Sequence, residues 1–208
     1  MAITINGGTG VITGISVGGL PDGVVDSGTL ATNSVDSDEL INGAIDSGHL
    51  ASGVGGKVVQ YVYNINSAVA TSSDTDGIDN DDTQPLVASD GDLFMSQAIT
   101  PTNTNNILHV QAIIMLSFAT AGRFGTAYIT QDSGNALACQ IDQGTANADA
   151  TTQVVVSWMQ VAGTTSATTF KLYAGSNWTG TTTMNGVNGS RKMGGHMAST
   201  MSITEISV

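Results

Sequence analysis

The sequence predicts an all-β protein in which a C-terminal β-sandwich or jelly-roll head follows a short repetitive stalk. After residue 57, apolar and polar residues alternate in several runs, as they do in strands with one buried face. Glycine, asparagine and aspartate separate these runs, and the 208 residues include 26 glycines. Before residue 57, a ten-residue unit repeats instead. We therefore divide the chain into an N-terminal anchoring segment (1–22), a repeat stalk with a glycine hinge (23–56) and a head domain (57–208).

The stalk consists of three units in register: GVVDSGTLAT, NSVDSDELIN and GAIDSGHLAS. Burying the two apolar side chains of one unit contributes about 4 kcal/mol, less than ordering ten backbone residues costs. Repeat units need neighbours that cover their apolar faces, so we expect three chains around one axis. A flexible acidic linker is the alternative, although a linker has no need of Val and Leu in register. The predicted core of the trimeric stalk is Val25, Leu30, Val35, Leu40, Ile45 and Leu50.

The residues before the repeat combine spaced isoleucines with many glycines. Such a segment suits a peptide that docks onto another protein, for example by adding a strand to its sheet. It has neither a basic start nor an apolar core, so we expect no secretory signal.

The head contains eight candidate strands. In ILHVQAIIMLSFA, every second residue from Leu108 to Phe118 is apolar and the other face is mixed, which suits a strand between a core and a partner subunit. In VVQYVYNI, the apolar residues Val59, Tyr61, Tyr63 and Ile65 share one face. Many short strands with turn residues between them indicate a sandwich or jelly roll. The other candidates are 93–99, 125–130, 136–141, 153–161, 168–174 and 199–206.

Charge and composition exclude several classes of function. Five Lys and Arg residues stand against 17 Asp and Glu residues, a net charge of −12. Nucleic-acid binding requires a basic surface that displaces counterions from phosphates, so we expect no nucleic-acid partner. No apolar run is long enough to span a bilayer, so we expect no membrane insertion. The single cysteine, Cys139, excludes a disulfide within one chain, and we expect it to be a small core residue.

The sequence lacks the arrangements typical of enzymes, and we expect no catalytic residue and no cofactor other than a candidate calcium ion. His49, His109 and His196 lie far apart and have no metal-ligand spacing. No nucleophile, base and acid pattern of a hydrolase is present. Carboxylates are scarce after Asp92, which disfavours the paired acids of a glycosidase.

The run DTDGIDNDD is the one metal-like feature. Its residues Asp74, Asp76, Asp79 and Asp81 supply the hard oxygen ligands that calcium prefers. The spacing departs from an EF-hand loop, because Ile78 stands at a ligand position. A solvated acidic loop is the alternative, and we favour it.

A glycine- and asparagine-rich segment near the end of the chain holds candidate receptor-binding loops. An aromatic ring there can stack on a sugar while polar side chains bind its hydroxyls. The alternative is that the tryptophan packs under a loop and the cations pair with a neighbour's acidic residues. The candidates are Tyr173, Trp178, Arg191, Lys192 and His196.

Several segments resemble those of tailed-bacteriophage fibre and minor virion proteins, particularly those of marine phages. ITINGGTGVITGISVGGLPDGVVDSGTLA resembles their start, and the decapeptide resembles their V-T-x-x-K-L-type stalk repeats, with Asp-Ser in place of Thr and Lys. GGKVVQYV resembles the junction that opens their head, ITPTNTNNILHVQAII resembles a segment within it, and MSITEISV resembles their closing strand. These segments cover most of the chain in the same order.

The resemblance implies a homotrimeric fibre or spike located in the virion. Its N-terminus binds other virion proteins, and its head projects outward for attachment to a host-surface glycan or protein. A capsid decoration or head fibre protein with a purely structural role is the alternative. A bacterial surface adhesin is disfavoured by the missing secretion signal.

Overall fold

The structure is a computed structural model that describes residues 57–74, 77–85, 89–142, 147–148 and 150–208. Before residue 57 it describes residues 4–6, 11–13, 45 and 49. The chain divides into two units, Met1–Gly55 and Gly56–Val208. In the first unit, strands β1 (Thr4–Asn6) and β2 (Val11–Thr13) pair antiparallel. Of the predicted stalk core, Ile45 is described, with its side chain 47% exposed in the single chain; the other five residues lie outside the described residues.

The described part of the second unit consists of strands and one short 3-10 turn at Met193–Gly195. This confirms the predicted all-β class. The strands are β3 (Val58–Asn66), β4 (Ala70–Asp74), β5 (Asp92–Ile99), β6 (Ile107–Phe118), β7 (Gly125–Gln131), β8 (Ala138–Asp142), β9 (Thr151–Val161), β10 (Thr168–Ser176), β11 (Gly180–Met184), β12 (Gly186–Val187), β13 (Ser190–Arg191) and β14 (Ser199–Ile206).

Two antiparallel sheets form a β-sandwich with jelly-roll pairing. The first sheet has the order β3–β14–β6–β9, with β11 and β4 added beside the end of β6, and the second has the order β5–β10–β7–β8. Among these eight main strands, the first in the chain pairs with the last, the second with the seventh, the third with the sixth and the fourth with the fifth. This nested pairing is that of a jelly roll.

The core lies between the two sheets and is built from alternate residues of each strand, as pleating requires. The even-numbered positions of β6 from Leu108 to Phe118 are all buried, as the alternation predicts. They pack with inward-facing residues of the other sheet, including Met95, Phe170 and Leu172. The two sheets therefore share one hydrophobic core.

Most predicted strands are confirmed, with differences where the sequence lacks apolar alternation. The prediction missed β4 (ATSSD) and β11 (GTTTM), which are rich in small polar residues. The prediction of a buried Cys139 is wrong, because its side chain is exposed. Cys139 lies on β8, an edge strand of the second sheet, and pairs with Tyr128 of β7. In the part of the chain that the structure describes, no helix is long and apolar enough to cross a membrane.

Candidate functional site

The predicted receptor-binding residues do not form one site. Tyr173 lies within β10 rather than in a loop, is 8% exposed, and stacks on Tyr128 with ring centroids 5.3 Å apart. Trp178 precedes strand β11, whereas the three other residues follow it. Five strand residues extend about 16 Å, so the tryptophan lies at the opposite end of β11 from Arg191, Lys192 and His196. Their role in receptor binding stays a prediction.

The exposed ring of Trp178 forms an aromatic–guanidinium pair with the half-buried Arg123, a residue that the sequence did not single out. The Arg123 Cζ atom lies 5.3 Å from the centroid of the indole ring, within cation–π distance. Trp178 is 59% exposed, so much of its surface is open to a ligand. The one available sequence signal was that Arg123, in AGRFG, is among only five Lys and Arg residues of the chain.

The backbone under Trp178 is held in place by two neighbouring segments. The Phe124 amide donates to Asn177 Oδ1 at 2.9 Å, and the Asn177 amide donates to the Phe124 carbonyl at 3.2 Å. On the other side, Gly77 has a φ of +75°, and a Cβ there would lie 2.6 Å from the Trp178 nitrogen. The Ile78 amide donates to the Ser176 carbonyl at 2.8 Å. Trp178 is thus presented on a rigid base.

Two of the four predicted calcium ligands, Asp79 and Asp81, fall on the segment 77–85, which lies over the outer face of the second sheet. Asp79 and Asp81 are exposed there, and Asp81 Oδ1 accepts a hydrogen bond from the Thr83 amide at 2.7 Å. Asp76 and the side chain of Asp74 lie outside the described residues. No group of three His, Cys, Asp or Glu side chains within the described ranges could hold a metal ion. Calcium binding stays a prediction.

Cavities adjoin predicted site residues both at the acidic segment and after strand β13. One of about 420 Å³ lies between the segment 77–85 and strands β7 and β8, with Ile78, Leu137 and Ile141 among its lining residues. Another of about 290 Å³ is lined in part by Lys192 and Met197. The first combines apolar walls with the carboxylates of the acidic segment.

The outer face of the first sheet, between strands β3 and β9, carries apolar side chains and no charged one. In the four fully described strands β3, β14, β6 and β9, Glu205 is the one Asp, Glu, Lys or Arg residue, and it is buried on the inner side. We call this surface the open face. It bears a β3 stripe (Val58, Val59, Tyr61, Tyr63 and Ile65) and a β9 stripe (Val155, Met159 and Val161), all of them exposed.

Strands β14 and β6 lie between the two stripes and present both polar and apolar side chains outward. Tyr63 pairs with Ser202 of β14, which pairs with Gln111 of β6, which pairs with Ser157 of β9. The ring Nε2 of His109 is hydrogen-bonded to Ser157 Oγ at 2.9 Å. The open face therefore carries no charged side chain, and its middle mixes these polar side chains with half-buried apolar ones of β6 such as Ile113 and Met115.

The buried carboxylate of Glu205 ties strand β14 to the loop between β5 and β6. Its Oε1 accepts hydrogen bonds from the Thr102 amide at 2.8 Å, from Thr102 Oγ1 at 2.8 Å and from Asn106 Nδ2 at 2.6 Å. Burial raises the pKa of Glu205, but the hydrogen bonds from Asn106 and Thr102 outweigh it, and the pKa is lower than that of an ordinary glutamate. This carboxylate holds the end of the sandwich closed.

No protein-family model and no curated protein matches the sequence. The C-terminal domain of EclA, a sugar-binding protein, has a TM-score of 0.33 at 7% identity, over 57% of this chain and 74% of that one. Dimeric latent PorU from Porphyromonas gingivalis has a TM-score of 0.32 at 10% identity, over 74% of this chain and 14% of that one. Infectious bursal disease virus (Gx strain) has a TM-score of 0.29 at 10% identity, over 68% of this chain and 36% of that one. Likenesses this low support no inference about function.

Proposed function

We propose that this chain is a structural protein of a tailed-bacteriophage virion: a homotrimeric fibre or spike subunit, anchored by its N-terminal segment, whose jelly-roll head projects outward. One observation carries the proposal: the same chain contains a decapeptide repeat with apolar residues at fixed positions and a folded β head. The repeat has too little apolar surface to order alone, so it requires further copies of itself. The proposed role involves no catalysis and no resident cofactor.

The Trp178–Arg123 pair supports host attachment as the role of the head. An indole face stacks on the apolar face of a sugar ring, and a guanidinium donates hydrogen bonds to hydroxyl or carboxylate oxygens. The rigid base under Trp178 limits the entropy lost on binding. A host-surface glycan is the ligand class that fits this chemistry.

The alternative role is that of a capsid decoration or head fibre protein bound to the shell. The shortness of the stalk, three repeat units, favours a stubby appendage of this kind. Both roles use the same N-terminal anchor and the same trimer.

The location of the chain on intact particles tests the proposal. Density for the jelly-roll head at the tail supports the host-recognition fibre, whereas density on the shell supports the decoration protein. Removing residues 1–56 should abolish incorporation while the head keeps its β-rich circular dichroism. Particles that contain no copy of this chain would contradict both roles.

A further inference from the structure

We infer that the open face joins the heads head to tail in a ring of three: the β3 stripe of one copy packs against the β9 stripe of the next. The inference rests on the proposed homotrimer. Beyond the trimer, the inference specifies which surface of the head forms the contact and which stripe of one copy meets which stripe of the next.

Strand β3 supplies the first argument, because its apolar side chains other than Val62 point away from the core of their own chain. Tyr61, Tyr63 and Ile65 face outward, and the β3 stripe is between 45% and 62% exposed. The inward positions include the amides Gln60 and Asn64. A register shift of one residue would have placed the apolar set inside. The observed register of β3 instead leaves these apolar side chains exposed, where another molecule can contact them.

The area of the two stripes supplies the second argument. Their eight side chains expose on the order of 800 Å² in one copy, so each contact of the ring, one β3 stripe with one β9 stripe, removes about 800 Å² from water, and the three contacts together remove about 2,400 Å². The β3 stripe also contains the stacked pair Tyr61 and Tyr63, with ring centroids 5.7 Å apart. Tyrosine is enriched where interfaces are strongest.

Charge favours a second copy of this chain as the occupant. The chain has a net charge of −12, so two copies repel each other through most of their surfaces. The open face is where this repulsion is weakest, because its strands present no charged side chain outward. A basic partner, by contrast, would gain nothing from an uncharged face.

The presence of two different stripes favours a ring. A cyclic trimer contains only heterologous contacts, in which one patch of a subunit meets a different patch of the next. The β3 stripe contains two tyrosines, the β9 stripe contains no aromatic ring, and strands β14 and β6 lie between them. The open face of each copy therefore carries both of the patches that a heterologous contact requires.

Thiol labelling of the purified full-length chain tests this inference. The exposed native thiol is first removed by Cys139→Ser, and single cysteines are then introduced as Tyr63→Cys in the β3 stripe and Met159→Cys in the β9 stripe. Leu93→Cys is the matched control, since Leu93 is a 50% exposed apolar strand residue of the other sheet. Ile65→Cys and Val161→Cys repeat the test at a second position of each stripe.

We expect the mass of three chains in solution, with Tyr63→Cys and Met159→Cys reacting with a maleimide about tenfold or more slowly than Leu93→Cys, because only dissociated chains expose them. Three chains with equal labelling at all positions would overturn the inference and leave the trimer standing. Protection of the β3 stripe alone, or a mass of two chains, would overturn the head-to-tail ring. The mass of a single chain would overturn the proposed trimer as well.

Discussion

The outer faces of the two sheets carry similar side chains, but the described residues cover only that of the second sheet. Each bears a tyrosine pair, Tyr128–Tyr173 on the second sheet and Tyr61–Tyr63 on the first. On the second sheet, the chain's own segment 77–85 covers the pair, with Ile78 buried against both rings. On the first sheet, the described residues place nothing over the pair, and both rings are exposed. A surface with a tyrosine pair is thus covered by the chain's own segment on the second sheet, whereas on the first sheet it is exposed and can contact another molecule.

The cover of the second sheet is held by specific hydrogen bonds. Gln84 Nε2 donates to the Ala136 carbonyl at 2.7 Å, the Ala136 amide donates to the Pro85 carbonyl at 3.3 Å, and the Tyr128 hydroxyl donates to the Asp90 carbonyl. Such bonds fix the segment because buried polar groups need partners. The covered face thus stabilises the subunit, and we propose that the open face stabilises the assembly.

The largest effect should come from the covered face. Tyr128→Ala removes a fully buried ring and its hydrogen bond, and we expect a loss of about 3–5 kcal/mol in the free energy of unfolding. The matched change on the open face, Tyr63→Ala, should cost under about 1 kcal/mol when measured on dissociated chains. Denaturant titration of both variants measures the difference. Equal costs for the two tyrosines would contradict the comparison.

A charge on the open face should act on assembly rather than on folding. Tyr63→Glu should weaken association by at least about 2 kcal/mol, or roughly thirtyfold in the dissociation constant, since it buries a charge without a partner. Leu93→Glu, the same change on the other sheet, should leave association unchanged. Sedimentation across a dilution series separates the two variants, and dissociation caused equally by both would argue against the open face as the contact.

Replacing Glu205 tests how much the buried charge of the first sheet contributes to the free energy of unfolding. Glu205→Gln keeps the acceptor oxygen but loses the charge, and we expect a loss of about 1–2 kcal/mol near neutral pH. Because the pKa of Glu205 is lowered in the folded chain, its stabilising contribution is full above the ordinary glutamate pKa of about 4.3 and is lost as the pH falls through the lower folded value. The two proteins should therefore converge in acid. Unfolding measured across this pH range would count against the account if the gap stayed constant.

Trp178→Ala should have the smallest effect on stability, under about 1 kcal/mol, because the ring is mostly exposed. Binding to host cells or to a glycan array should be lost with it, whereas the control Met193→Ala, at a residue that is even more exposed, should bind normally. A Trp178→Ala chain that still binds would remove the attachment role and leave the decoration role.

Sequence reasoning succeeded where apolar alternation is strong and failed where tertiary context decides. The long alternation of β6 and the closing strand β14 could be predicted because one face of each must be buried. The direction in which the apolar side of β3 points could not, because alternation defines two faces without saying which one meets the core. The Trp178–Arg123 pair was missed because it joins two loops that are distant in sequence. Tyr173 belonged to the predicted strand 168–174 and was also grouped with the loop candidates that follow it, whereas β10 continues two residues further, to Ser176.

The mass of the purified full-length chain in dilute solution tests the central claim most directly. Light scattering should give about three times the 21.1 kDa of one chain, because the open face and the repeat both require neighbouring copies. A mass of 21.1 kDa that persists at high concentration would contradict the account, since it would leave an uncharged apolar face of the head exposed to water with no copy of the chain to cover it.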